Sequence, residues 1–335
     1  MVEKDYIMSV ADMLLQDSTV LKKNGLWDGR MGKAVFLFNY AQYTGDYQYE
    51  SHAMNNIELI HGDLNIAYPA DYAHGLAGIG AGIEYLAQNR FVKVDTNGVL
   101  FDFDERIFYG DVINKKHDNY SLGNGLTGLG QYFLLRINYP LTPKNELRLL
   151  INLERMLHVV NIIEHTISLS DPYLPDVLSF LCRLYSLDVC NPKIDRCINK
   201  VKDVFSPNFV CAGSQAELVL SLIQMAKMYG GVEKQAVISV KHILQKISET
   251  ISLNERNRDG NNTDGLFWLL RAKRLVEQTG IDTELIPQFD FLINKEIKQT
   301  DNSLENTSLW GCTGKALAMM MFSGKIDDTW LDLLG

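Results

Sequence analysis

From Tyr6 to Leu15 the apolar residues Ile7, Val10, Met13 and Leu14 fall at the spacing of one helical face, and Asn24-Gly25 then breaks the pattern. The next run, Ala34 to Ala41, is apolar nearly all round, the mark of a helix buried on every side. This couplet recurs along the chain. Residues near 49 to 61 precede a buried run with Ile83, Tyr85 and Leu86, and those near 104 to 116 precede one with Tyr132, Phe133, Leu134 and Leu135. The polar-faced stretch from Glu146 to Ser168 leads into Val177 to Leu181. Segments near 193 to 205, 232 to 252 and 283 to 298 lead into Leu218 to Met225, Leu266 to Leu270 and Ala316 to Phe322. Seven amphipathic and seven buried helices are predicted. One stretch departs from this: Val92, Val94, Val99 and Phe101 alternate across Thr96-Asn97-Gly98, which predicts a β-hairpin over 91–103.

Each buried helix opens on a related signature. Gly-x-x-Gly stands at Gly29 and Gly32, Gly75 and Gly78, Gly125 and Gly128, and Gly311 and Gly314, with weaker versions at Pro175, Gly213 and Gly265. The openings follow one another at steps of 38 to 52 residues, a period that marks a repeat architecture. Helices apolar on all sides cannot line an exterior, so the expected fold is all-α. It is an α/α toroid of seven helix pairs, seven inner and seven outer, forming a single domain over 1–335. At the centre of such a ring, glycine lets backbones approach closely and frees the incoming loop's dihedrals.

Composition narrows the function. A net charge of -9 and a pI near 5.3 exclude a nucleic-acid partner, which needs a basic footprint. No apolar run approaches a membrane span and the first residues do not read as a signal peptide, so a cytoplasmic protein is expected. Five cysteines without Cys-x-x-Cys argue against a disulfide framework or zinc ribbon, and most read as small buried thiols.

A toroid gathers equivalent loops at one end, so the inner helices are expected to point unpaired N–H groups into a shared basin. The residues just before the first glycines are Asp28, His74, Asn124, Leu174, Ala212, Asp264 and Trp310. Asp28, Asn124 and Asp264 are ordinary N-cap types that can equally contact substrate, as can Trp310. Histidine is not a favoured cap, which makes His74 a candidate catalytic residue together with Asp71, which either orients the imidazole or acts on substrate directly, or else serves as a plain turn carboxylate.

With these residues in view, the chain resembles the LanC-like family, the lanthionine synthetase cyclases, over its whole length. The resemblance rests on the repeated helix openings, on Ala73-His74-Gly75-Leu76-Ala77-Gly78, and on Cys211 two before Gly213. It implies a peptide substrate and a zinc ion held by a Cys two before the fifth repeat's glycine and by a Cys-His pair before the sixth's. Here Cys211 matches the first ligand, but Thr263 and Asp264 replace the pair, so no zinc or other cofactor is expected. His74 matches the family histidine by motif and not by repeat position, and Asp71 resembles the family acid four before such a glycine. The implied function is binding of a precursor peptide or other small peptide, without zinc-dependent thioether cyclisation and alongside a separate modifying enzyme. The alternatives are a metal-independent toroid glycosidase or lyase using paired carboxylates among Asp28, Asp71 and Asp264, or a helical-repeat scaffold.

Overall fold

The computed structural model describes residues 2–16, 23–65, 67–137, 146–201, 215–228, 233–254, 264–299 and 306–335. In chain order the helices begin with α1 (Val2–Gln16), α2 (Arg30–Thr44), α3 (Gln48–Asp63) and α4 (Leu76–Gln88). The short α5 (Thr96–Val99) and α6 (Phe101–Glu105) run into a π-helix (Arg106–Ile113), followed by α7 (Leu126–Ile137). Then come α8 (Glu146–Thr166), α9 (Leu174–Tyr185), α10 (Asn191–Val201), α11 (Gln215–Met228) and α12 (Glu233–Asn254). The chain continues with α13 (Asp264–Thr279), α14 (Ile286–Gln299) and α15 (Cys312–Phe322), and closes on a 3-10 helix (Thr329–Leu334).

The alternation follows the hydrophobic pattern. Helix α1 buries Tyr6, Ile7, Val10, Ala11 and Leu14 and leaves Met8 exposed. Helix α2 is buried without a break from Arg30 to Ala41, and α7 from Leu126 to Arg136. Each fully buried Phe or Leu in such a helix contributes about 2 kcal/mol, which offsets the ordering of the chain around it.

The chain falls into two compact units. The first comprises residues 1–162 and 302–335. Within it α2 packs on α3, α4 and α15, α1 packs on α2 and α15, and α4 packs on α7. The closing 3-10 helix belongs to its core, with Trp330, Leu331, Leu333 and Leu334 all buried. The Tyr72 hydroxyl donates to the Leu333 carbonyl at 3.1 Å, and Gln131 Nε2 to that of Asp332 at 3.0 Å. The second unit comprises residues 163–301, in which α9 packs on α10 and α11, α11 on α12 and α13, and α13 on α14. Inside it Ser179 accepts hydrogen bonds from Gln224 and Arg271, and the Arg271 guanidinium stacks over Trp268.

The hairpin expected over 91–103 is corrected by the structure: residues 96–99 form α5, 101–103 begin α6, and no strand occurs among the described residues. Asp95 accepts from the Asn97 N–H at 3.1 Å, which starts a helical turn in place of a tight hairpin turn. The turn is then held by a buried cation. Arg136 donates to the Thr96 hydroxyl at 3.2 Å and to the Thr96 carbonyl at 3.3 Å, so Thr96 is drawn inward while Val99 and Phe101 stay exposed. Among the described residues no helix is long and apolar enough to cross a membrane. Cys182, Cys197 and Cys312 are buried free thiols and Cys190 is an exposed one.

Candidate functional site

Four of the predicted helix openings lie in the first unit, at the starts of α2, α4, α7 and α15. At the first glycine of each, an added Cβ would lie 2.2 to 2.5 Å from backbone of the loop leading into it: Gly29 against Gly25, Gly75 against Pro69, Gly125 against Ser121, Gly311 against Asn306. At the second glycine it would strike the carbonyl three before the first, namely that of Leu26 for Gly32, Tyr72 for Gly78 and Leu122 for Gly128. Gly314 is buried in the first turn of α15. The requirement is therefore close approach by the chain's own loop. The φ angles of Gly29, Gly75 and Gly311 are -131°, -104° and -121°, so none of the three sits in the left-handed region that favours glycine.

That tight wrapping also changes the expected basin. The first N–H of α2 donates to the Lys23 carbonyl at 2.9 Å, that of α4 to Pro69 at 2.8 Å, that of α7 to Asn119 at 3.0 Å and that of α15 to Asn306 at 2.8 Å. The loop carbonyls occupy donors that were expected to point unpaired at a ligand.

The four loops are joined through the residue two before each first glycine. The Leu309 N–H donates to the Trp27 carbonyl at 2.7 Å, the Trp27 N–H to Ala73 at 3.0 Å, and the Ala73 N–H to Gly123 at 2.9 Å. These bonds fix one residue per loop in a common layer, and the next residue in each is Asp28, His74, Asn124 or Trp310. Asn124 and the His74 side chain are exposed, and Asp28 and Trp310 are partly so. Trp310 meets Trp27 edge-to-face at 5.5 Å between ring centroids. Gly123 makes room for Trp27, since a Cβ there would lie 2.8 Å from the indole ring.

His74 and Asp28 come together across neighbouring loops, with Nδ1 2.8 Å from Asp28 Oδ1. The other Asp28 oxygen takes the Lys23 ammonium at 2.5 Å. Asp71 Oδ1 accepts the His74 backbone N–H at 2.8 Å, and Ser121 Oγ accepts that of Asn124 at 3.4 Å, so Asp71 acts as a turn carboxylate in this structure. Burial opposes the charge on Asp28, but Lys23 and His74 outweigh it and hold the carboxyl below its ordinary 3.8. A carboxyl lowered on folding adds stability above its ordinary pKa and loses that contribution as pH falls through the lower value. The stability gap between the protein and Asp28→Asn is thus expected in full at neutral pH and to close as pH falls below 3.8, as read by urea unfolding across a pH series.

The remaining candidates are not brought to this cluster. Leu174 is fully buried as the first residue of α9. Cys211 and Thr263 lie outside the described residues, as does the Asp264 side chain, while the Asp264 backbone begins α13. Lys23 and Gly25 were not singled out by the sequence as site residues. Lys23 stands six before its glycine with no motif around it, and Gly25 reads only as a helix breaker.

No family model and no curated protein matches this sequence. Among solved structures, nisin cyclase matches with a TM-score of 0.66 at 13% identity, covering 99% of this chain and 96% of its own. At that identity the likeness speaks to the fold alone. The chain has the all-α fold of the LanC-like proteins, in the α/α toroid class.

Proposed function

We propose that this is a LanC-like protein of ribosomal peptide modification that binds a precursor peptide at the loop layer of its first unit, without zinc-dependent thioether cyclisation. The observation that carries the reading is the likeness to nisin cyclase along almost the whole of both chains. Two features support the finer parts. The loop layer presents Asp28, His74, Asn124 and the Trp27–Trp310 pair together, a mixture of polar groups and aromatic surface suited to peptide side chains. At the positions where the family holds zinc, the donors are one thiol, one hydroxyl and one carboxylate, Cys211, Thr263 and Asp264, a set that does not fit a catalytic zinc site. In this reading the protein works in the cytoplasm beside a separate modifying enzyme.

The test is titration calorimetry with any candidate precursor peptide encoded beside the gene. Affinity in the micromolar range is expected, unchanged by prior treatment with a metal chelator, and weakened roughly tenfold by His74→Ala. Loss of binding on chelation would restore the zinc-dependent reading. Sugar release from an oligosaccharide panel, abolished by Asp71→Asn, would favour the glycosidase, although both Asp28 and Asp71 already have partners within the loop layer.

A further inference from the structure

The Asp28–His74 contact fixes more than a distance. An ionised carboxylate can only accept hydrogen bonds, so the imidazole nitrogen facing it must be the donor. A neutral imidazole carries one N–H, and placing it on Nδ1 leaves the lone pair on Nε2. Asp28, a carboxyl held below 3.8, is ionised at neutral pH, and the Lys23 ammonium sits on the oxygen that His74 does not use. Three further features hold the His74 backbone in place. The Ala73 carbonyl is bonded to the Trp27 N–H, and the His74 N–H is bonded to Asp71 Oδ1. Gly25 lets the first loop lie against the His74 backbone, since a Cβ there would be 2.6 Å from the His74 Cα. The charged groups bonded to His74 or to its partner are thus Lys23 and Asp28 on the first loop and Asp71 on its own. The His74 side chain is half exposed, and no partner for Nε2 occurs among the described residues.

We propose that Asp28 is a positioning residue that locks His74 as its Nδ1–H tautomer, so that Nε2 presents a hydrogen-bond acceptor to a hydroxyl or thiol side chain of a bound peptide. The nature of that donor rests on the peptide-binding reading, whereas the lock itself does not. Lys23 takes the other carboxylate oxygen and leaves Oδ1 to His74. A ligand that offers only acceptors to this position, such as a carboxylate, is disfavoured at alkaline pH because it would face a lone pair.

The experiment needs no ligand. Proton-detected nitrogen NMR of ring-labelled histidine at pH about 8, where a histidine of ordinary pKa is neutral, reads the tautomer of His74 directly. His74→Gln assigns the signal. In the native protein the Nδ1–H form is expected in roughly tenfold excess, as a charge-assisted hydrogen bond to Asp28 would give. Asp28→Ala should reverse the ratio toward Nε2–H, the form imidazole favours in water, and Lys23→Ala should keep it, since Asp28 remains ionised at that pH. Carbethoxylation by diethyl pyrocarbonate gives a second measure: Nε2 should be the modified atom in the native protein and Nδ1 should gain in Asp28→Ala. A native Nε2–H tautomer, a ratio unmoved by Asp28→Ala, or a ratio lost in Lys23→Ala would each overturn the proposal. None of these results depends on whether a peptide binds, so failure here and failure of the peptide titration are separate outcomes.

Discussion

Gly78→Ala is expected to lower the stability of the protein by about 3 kcal/mol, although helix propensity alone favours alanine over glycine by about 1 kcal/mol. The added methyl would lie 1.9 Å from the Tyr72 carbonyl oxygen and 2.9 Å from the Leu26 Cβ. That carbonyl cannot step aside, because the Tyr72 and Ala73 N–H groups are bonded to Gly123 and the Tyr72 hydroxyl is bonded to Leu333. Movement of the Asp71–Gly75 loop would carry His74 away from Asp28, so loss of stability and loss of peptide affinity should appear together. Gly62→Ala is the matched control, since it lies in α3 with nothing within 4 Å of the added atom. It should raise stability by about 0.5 kcal/mol through the unfolded chain. Urea unfolding of the two variants measures both signs in one experiment, and similar effects from the two would remove the close-approach account of the repeated glycines.

These glycines show what the sequence could convey. A steric need that recurs at four helix openings leaves a periodic mark, so Gly29, Gly75, Gly125 and Gly311 stand out in the sequence, and the all-α class is read from the apolar runs between them. Interactions made once leave no such mark. Asp28 and His74 stand 46 residues apart, and only the structure shows that the first two loops bring them to 2.8 Å. The same limit explains the hairpin expected over 91–103: alternation at Val92, Val94, Val99 and Phe101 is a local signal, and it was overridden by a distant cation, Arg136, that claims Thr96. The pairing of the first N–H at the four described openings has a different cause. Helix ends do leave N–H groups unpaired by the helix, but a loop wrapped tightly enough to require glycine also brings its own carbonyls within reach of them.

Arg136→Met is expected to destabilise the first unit by about 3 to 5 kcal/mol, since it leaves two carboxylates buried without their main partner. The Glu84 and Asp104 side chains are 0% exposed and that of Arg136 is 1% exposed. Arg136 donates to Glu84, to both oxygens of Asp104 at 3.1 and 3.2 Å, and to the Thr96 hydroxyl and carbonyl. Tyr132 adds a hydroxyl donor to Asp104 at 2.5 Å, and burial first, then the Asp104 charge, push its phenol well above the ordinary range so that it stays protonated. Arg148 stands 3.9 Å from Asp104, too far to replace the lost fork of donors. Lysine is a poor substitute for the same reason, because a single ammonium cannot span Glu84, Asp104 and Thr96, and Arg136→Lys should keep less than half of the lost stability. The triple variant Glu84→Gln, Asp104→Asn, Arg136→Met separates the charge from the shape. If the cost lies in uncompensated burial, removing all three charges should recover most of the loss in chemical unfolding, whereas a triple variant as unstable as Arg136→Met would place the cost in the geometry of the Thr96 turn.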